Sequence, residues 1–148
     1  MKEKTYRVVR LEASMLSAVA LLEQDIFTEP WSERSLSLLV GDGAFGYACV
    51  CEQEVVAYGG MLLSVDEGQI TNIAVRADVR RNGCGKAILT ALEEEARKRG
   101  LVQISLEVRV SNAAAIALYE AFGYQTAGRR RGFYRRPAED AFVMLKAL

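Results

Sequence analysis

Ile73-Ala74-Val75 leads into Arg80-Arg81-Asn82-Gly83-Cys84-Gly85-Lys86, and an amphipathic helical pattern follows at once. The apolar run reads as a buried strand. The link after it carries cations and two glycines. A helix N-terminus offers free backbone N–H groups and partial positive charge, so it attracts anions. Glycines let the backbone come close to such an anion. Strand, glycine loop and helix in this order point to a pyrophosphate-carrying ligand.

Two common phosphate loops fit poorly. A P-loop places Ser or Thr after Gly-Lys, whereas Gly85-Lys86 is followed by Ala87. A dinucleotide fingerprint has a third glycine, absent from Gly83-Cys84-Gly85-Lys86-Ala87-Ile88. What remains is Arg80-x-x-Gly83-x-Gly85 behind the strand Asn72-Ile73-Ala74-Val75. This pattern resembles the acetyl-CoA motif of the GCN5-related N-acetyltransferases (GNAT). The plain alternative is a flexible glycine loop that binds nothing.

The chain has 148 residues, 51% of them hydrophobic, enough for one domain over residues 1–148 with a proper core. Nineteen Lys and Arg balance nineteen Asp and Glu, so no general binding of nucleic acid or membrane surface is expected. No apolar run approaches the roughly 20 residues of a membrane span. Met1-Lys2-Glu3-Lys4-Thr5-Tyr6 lacks the apolar core of a signal peptide, and the expected location is the cytoplasm. The three cysteines, Cys49, Cys51 and Cys84, suggest no disulfide framework. Cys49 and Cys51 share one strand face and read as buried. Histidine is absent, which removes Ser-His and Cys-His catalysis and argues against a metal site.

Periodicity gives the order of elements. Tyr6–Arg10 reads as a strand, and Ser14 as the cap of a helix reaching Phe27, with Leu16, Val19, Ala20 and Glu23 on one side. Ser32 caps a second helix to about Leu39. Tyr47–Cys51 and Val55–Ser64 read as a hairpin, and Gln69–Val75 as the next strand. In the following helix Ile88, Leu89, Leu92 and Ala96 form the apolar stripe. Glu93/Arg97, Glu94/Lys98 and Glu95/Arg99 are spaced as solvent-side pairs. Gly100 ends this helix. A strand Gln103–Arg109 follows, then a helix Ala113–Phe122 capped by Ser111-Asn112 and stopped by Gly123. Strands near Tyr124–Arg131 and Ala141–Lys146 complete a mixed α/β (α+β) domain around one sheet.

Leu106-Glu107-Val108-Arg109-Val110-Ser111-Asn112-Ala113-Ala114-Ala115-Ile116-Ala117-Leu118-Tyr119-Glu120 narrows the family. It closely resembles the matching segment of the bacterial ribosomal-protein alanine N-acetyltransferases, the RimI type. Pro30-Trp31-Ser32-Glu33, Asn72-Ile73-Ala74-Val75 and Glu139-Asp140-Ala141 extend the likeness over most of the chain. The resemblance implies a single GNAT-like domain with a mixed, mostly antiparallel sheet of six to seven strands and about four helices. It implies Glu107 as the base and Tyr119 as the acid. That chemistry is sound in itself: acetyl transfer needs a neutral amine, and a peptide α-amino group titrates near about 7.7–8.0. A carboxylate can take its proton, and a phenol can protonate a departing thiolate. The residue-level alternatives are a Glu107–Arg109 ion pair and a core aromatic at Tyr119.

Carried over residue by residue, the resemblance implies that Ile73, Ala74 and Val75 bind the pantetheine arm as an added strand would. It implies Arg81, Asn82, Gly83, Cys84, Gly85 and Lys86 around the pyrophosphate, with Arg80 in the leading position of the motif. Asn112 lies near the cofactor arm or is simply a helix cap. Tyr134 walls the acceptor site, with Phe133 where a second tyrosine often stands. Trp31 either walls the cleft or staples a helix start. An acyl-Cys84 route is disfavoured, since no histidine activates the thiol. The run Gly128–Pro137 is unusually basic and reads as a solvated face or an attractor of acidic partners. The expectation is acetyl transfer from acetyl-CoA to a protein N-terminus, chiefly an N-terminal alanine of a ribosomal protein. A lysine or small-amine acetyltransferase and a non-catalytic acetyl-CoA-binding module are the alternatives.

Overall fold

Seven strands form one sheet in the computed structural model, which describes residues 4–148. They are β1 (Arg7–Arg10), β2 (Ala44–Cys51), β3 (Glu54–Ser64), β4 (Glu67–Val75), β5 (Gln103–Arg109), β6 (Gln125–Arg135) and β7 (Ala138–Ala147). Their order is β1-β2-β3-β4-β5-β7-β6, antiparallel throughout except between β4 and β5. The helices are α1 (Leu16–Ile26), α2 (Glu33–Leu36), α3 (Cys84–Lys98) and α4 (Ala113–Ala121). This is the expected mixed, mostly antiparallel α/β architecture. The N-terminal reading at Met1–Glu3 lies outside the described residues. No described helix is long and apolar enough to cross a membrane.

The sheet separates two cores. On one face Ile88, Leu89, Leu92 and Ala96 of α3 pack against Phe45, Met61, Ile70, Leu106 and Met144, and Tyr119 of α4 joins them. On the other, Leu16, Val19 and Leu22 of α1 pack with Leu36, Leu39, Tyr58 and Ala74. Both layers press on β3. A Cβ at Gly59 would stand 2.6 Å from Ile88 Cγ2, and one at Gly60 would stand 2.6 Å from Leu39 Cδ1.

Gly100 and Gly123 both adopt positive φ, 74° and 95°, the conformation that ends helices. After α4 the Tyr124 N–H donates to the Tyr119 carbonyl at 3.0 Å and the Gly123 N–H to the Glu120 carbonyl at 3.0 Å. These are the two bonds of a Schellman motif, and the rings of Tyr119 and Tyr124 meet edge-on at 5.6 Å as its apolar contact. The last turn of α4, which carries Tyr119, is thus tied to the start of β6.

Several expected details differ. Ser14 is not a cap: a 3-10 turn at Ala13–Met15 precedes α1, and no side chain caps that helix. Glu93 is buried rather than solvent-facing, because Lys146 Nζ of β7 reaches it at 2.8 Å. β2 begins at Ala44, and β6 runs to Arg135. The strand expected near Tyr124–Arg131 thus takes in most of the basic run. Its arginines give no alternation of apolar and polar residues to mark it, and pairing with β7 holds it, Arg129 opposite Phe142 and Tyr134 opposite Glu139.

Candidate active site

β4 and β5 pair over only three residues, Glu67–Gln69 with Gln103–Ser105. Beyond that point the strands part, leaving Ile70–Val75 of β4 without a partner on the β5 side. Arg76 N–H donates to Val56 of β3 at 2.8 Å. By the alternation of an antiparallel ladder, Ala74 also faces β3, so Ile73 and Val75 turn their N–H and C=O groups to the open edge. This edge can accept an extended ligand as an added strand.

The open edge runs into the glycine loop. Arg81 and Gly83 both hold positive φ, 69° and 80°, so successive amides curl into a concave anion-binding nest. Among the described residues, none of the six N–H groups of residues 81–86 donates a hydrogen bond; the first to do so is Ala87, to the Gly83 carbonyl at 2.9 Å. A Cβ at Gly85 would meet only ordinary contacts, Leu118 Cδ2 at 3.6 Å and Val75 Cγ2 at 3.8 Å. Packing therefore does not demand a glycine there. Arg80 folds back, Nε to the Val75 carbonyl at 3.2 Å, and Asn82 braces the turn through the Val79 carbonyl at 2.9 Å. The residues present fit a pyrophosphate with an extended arm.

Across the cleft, β5 presents Glu107. Gln69 Nε2 donates to its Oε2 at 2.9 Å, and Arg130 Nε lies 3.8 Å from Oε1. Arg109 does not pair with it; that guanidinium goes to Glu139 at 3.1 Å and lies 4.2 Å from the centre of the Tyr134 ring. Burial pushes the Tyr134 phenol up to about 12; Arg109 opposes the rise, and Glu107, Glu139 and Glu29 add to it. Burial and then Tyr134 raise the Tyr119 phenol. The Tyr119 ring is core, as its helical spacing allows. Its hydroxyl makes no hydrogen bond among the described residues, and the residue is buried.

The α1–α2 connection closes the far wall. Glu29 Oε1 accepts from the Arg135 and Arg136 N–H groups at 2.7 and 2.9 Å. Arg109 donates to the Arg136 and Pro137 carbonyls at 3.1 and 3.0 Å, and the Thr28 hydroxyl donates to the Arg136 carbonyl. Trp31 is half-buried against the α1–α2 core that includes Leu36, the packing expected of a staple. Asn112 spends Oδ1 on capping α4, accepting from Ala115 N–H at 3.1 Å. Cys84 is buried 3.6 Å from Cys49 Sγ. Burial, then its bond to Cys84, raises the Cys49 thiol to about 12.

Gln69, Glu23 and the latch by which Arg109 and Glu29 each hold residues 135–137 had no functional reading in the sequence. Only Glu23 carried a signal, a charge on the apolar stripe of α1. The basic run is partly accounted for: Arg129 pairs with Asp140 at 2.7 Å and Arg130 reaches toward Glu107.

An open strand edge that runs into a glycine loop with unused amides, beside a strand that carries a carboxylate, fits a donor with an extended arm and a pyrophosphate. The chain belongs to the Acetyltransferase (GNAT) family, whose model matches residues 16–124. Ribosomal protein bS18-alanine N-acetyltransferase of Escherichia coli (strain K12) is 38% identical over 136 residues, 90% of this chain and 92% of that protein. The crystal structure of the Escherichia coli ribosomal-protein-S18-alanine N-acetyltransferase matches with a TM-score of 0.89 at 36% identity, over 97% of this chain and 94% of that one. Arabidopsis thaliana NAA60 in complex with acetyl-CoA shares the fold, with a TM-score of 0.88 at 17% identity over 97% and 99% of the two chains.

Proposed function

We propose that this protein transfers acetyl from acetyl-CoA to the α-amino group of a protein N-terminus, with an N-terminal alanine of a ribosomal protein as acceptor, in the cytoplasm. The observation that carries the reading is the parting of β4 from β5, which leaves an open strand edge that runs into the free amides of residues 81–86. The names of the relatives supply the acceptor.

Ile73 and Val75 hold the pantetheine arm through the open edge, and residues 81–86, with Arg80 in support, hold the pyrophosphate. The Val75 N–H polarises the thioester carbonyl. Glu107 takes a proton from the acceptor ammonium, directly or through water, and releases it to solvent. The neutral amine then forms the new N–C bond as the C–S bond breaks, and the second amine proton leaves by the same carboxylate. Tyr119 gives its phenolic proton to the departing sulfur and is reprotonated from solvent. Its raised affinity for the proton keeps it in the donor form at neutral pH. Tyr134 and Trp31 wall the acceptor peptide.

Steady-state kinetics of Glu107→Gln and Tyr119→Phe test these roles. Each is expected to lower kcat by about 10²-fold or more with acetyl-CoA affinity retained. Wild-type turnover in both variants contradicts the assignment.

A further inference from the structure

Glu23 is a carboxylate on α1 with 0% exposure and no cation within 4.0 Å among the described residues. Burying such a charge is costly unless donors surround it. Here they do. Tyr58 of β3 donates its hydroxyl to Oε2 at 2.6 Å. Asn72 of β4 donates Nδ2 to both oxygens, at 3.3 and 3.1 Å. The backbone N–H of Trp31 donates to Oε1 at 2.8 Å.

Two of these donors belong to the site. Asn72 directly precedes the cofactor edge, and a bulge aims it. Gly59 pairs with Ile73 while Met61 pairs with Ile70, so Gly60 alone stands opposite Thr71 and Asn72. The extra residue shifts the alternation by one: Ile70 joins the α3 core, Ala74 joins the α1 core, and Asn72 turns to α1. Trp31 lies in the α1–α2 connection, whose Thr28–Glu29 end is latched to the β6–β7 hairpin through Arg136. Without Glu23 the other end of that wall has no side-chain bond to the sheet among the described residues.

We propose that Glu23 is a positioning residue: its buried carboxylate locks the Trp31 end of the acceptor wall to the Asn72 bulge beside the cofactor edge. The proposal rests on the reading of this cleft as a peptide-acetylating site. A fold brace alone does not call for a charge; an apolar side chain in this place leaves no carboxylate to desolvate. A carboxylate is needed where donors from the sheet and from a loop amide must all be accepted at one point.

Trp31 is the sole tryptophan, so its fluorescence reports on this loop alone. In Glu23→Met, acrylamide quenching of Trp31 is expected to rise about twofold or more, and the peptide KM about tenfold. The kcat and the acetyl-CoA KM stay within about twofold. Glu23→Gln keeps an acceptor for the Trp31 N–H and is expected to recover most of the peptide KM. Unchanged quenching in Glu23→Met overturns the proposal, as does a loosened Trp31 with an unaltered peptide KM. The wild-type protein supplies a check that needs no variant: the Trp31 amide is expected to exchange with solvent as slowly as sheet amides, and exchange at an unprotected rate also overturns the lock. If the wild type acetylates no peptide, the functional reading fails by itself, while quenching and exchange still decide whether Glu23 fixes the wall.

Discussion

Gln69 Nε2 donates to Glu107 Oε2 across 2.9 Å, and Gln69 is the last residue of β4 that still pairs with β5, opposite Ser105. The amide therefore sits at the fork where the strands part and holds the carboxylate that faces the opening. Replacing it by leucine frees Glu107 to turn toward Arg130. Gln69→Leu is expected to lower kcat about tenfold, with acetyl-CoA KM unchanged and the fold intact, since a misplaced general base loses geometry rather than binding. Steady-state kinetics with each substrate varied in turn checks this.

The anion nest depends on Gly83. Its φ of 80° is unfavourable for any residue with a side chain, although a Cβ there meets nothing within 4 Å. Gly83→Val therefore strains the backbone without clashing. It is expected to weaken acetyl-CoA binding about tenfold or more and to cost roughly 1–3 kcal/mol of stability. Calorimetric titration with acetyl-CoA and thermal melts read the two effects separately.

The thiols are expected to be inert. Cys49, Cys51 and Cys84 are all buried, and the Cys49 thiol is raised to about 12 by burial and its neighbour Cys84. At neutral pH a thiol-specific reagent should label the folded protein far more slowly than the unfolded chain, because thiolate is the reacting species. Cys84→Ala is expected to keep acetyl-transfer activity. Loss of activity with acetyl-CoA binding retained speaks for an acyl-cysteine route.

Acid should open the latch. Glu139 is held below the usual carboxylate range by the Ser111 N–H and by Arg109, and Asp140 by the Gly132 N–H and Arg129. A lowered folded value means that the stabilisation is fully present above the unfolded values, about 4.3 for Glu and 3.9 for Asp. It is lost as pH falls through the folded values below these. Between about pH 5 and pH 3 the wild-type Tm should fall more steeply than that of Glu139→Gln. Parallel Tm curves contradict the assignment.

Much of the fold is legible in the sequence because local chemistry sets it. Gly100 and Gly123 mark helix ends through positive φ, Ser32 and Asn112 cap through their own side chains, and the α3 stripe is periodic. The glycine loop and the segment from Glu107 to Tyr119 carry the family likeness, and the chain does belong to that family. Long-range partners are what a linear reading lacks. Arg109, two residues from Glu107 on the same strand face, was a natural partner for it, yet Glu139 on the neighbouring β7 and the hairpin carbonyls satisfy that guanidinium instead. Glu93 does pair with Arg97, at 3.6 Å, but it is buried rather than solvent-facing because Lys146 from β7 also meets it. Glu23 shows only that a charge lies on an apolar stripe; its donors come from β3, β4 and the following loop. The strand expected near Tyr124–Arg131 is β6, and only its extension to Arg135 goes unread, because an edge strand needs no apolar alternation.

Acetylation of a terminal amine is read by tandem mass spectrometry of a peptide with a free N-terminal alanine and one internal lysine, after incubation with the protein and acetyl-CoA. A single acetyl group is expected on the alanine nitrogen, lost in Glu107→Gln. An acetyl group confined to the lysine, or none on any peptide while acetyl-CoA binds, contradicts it.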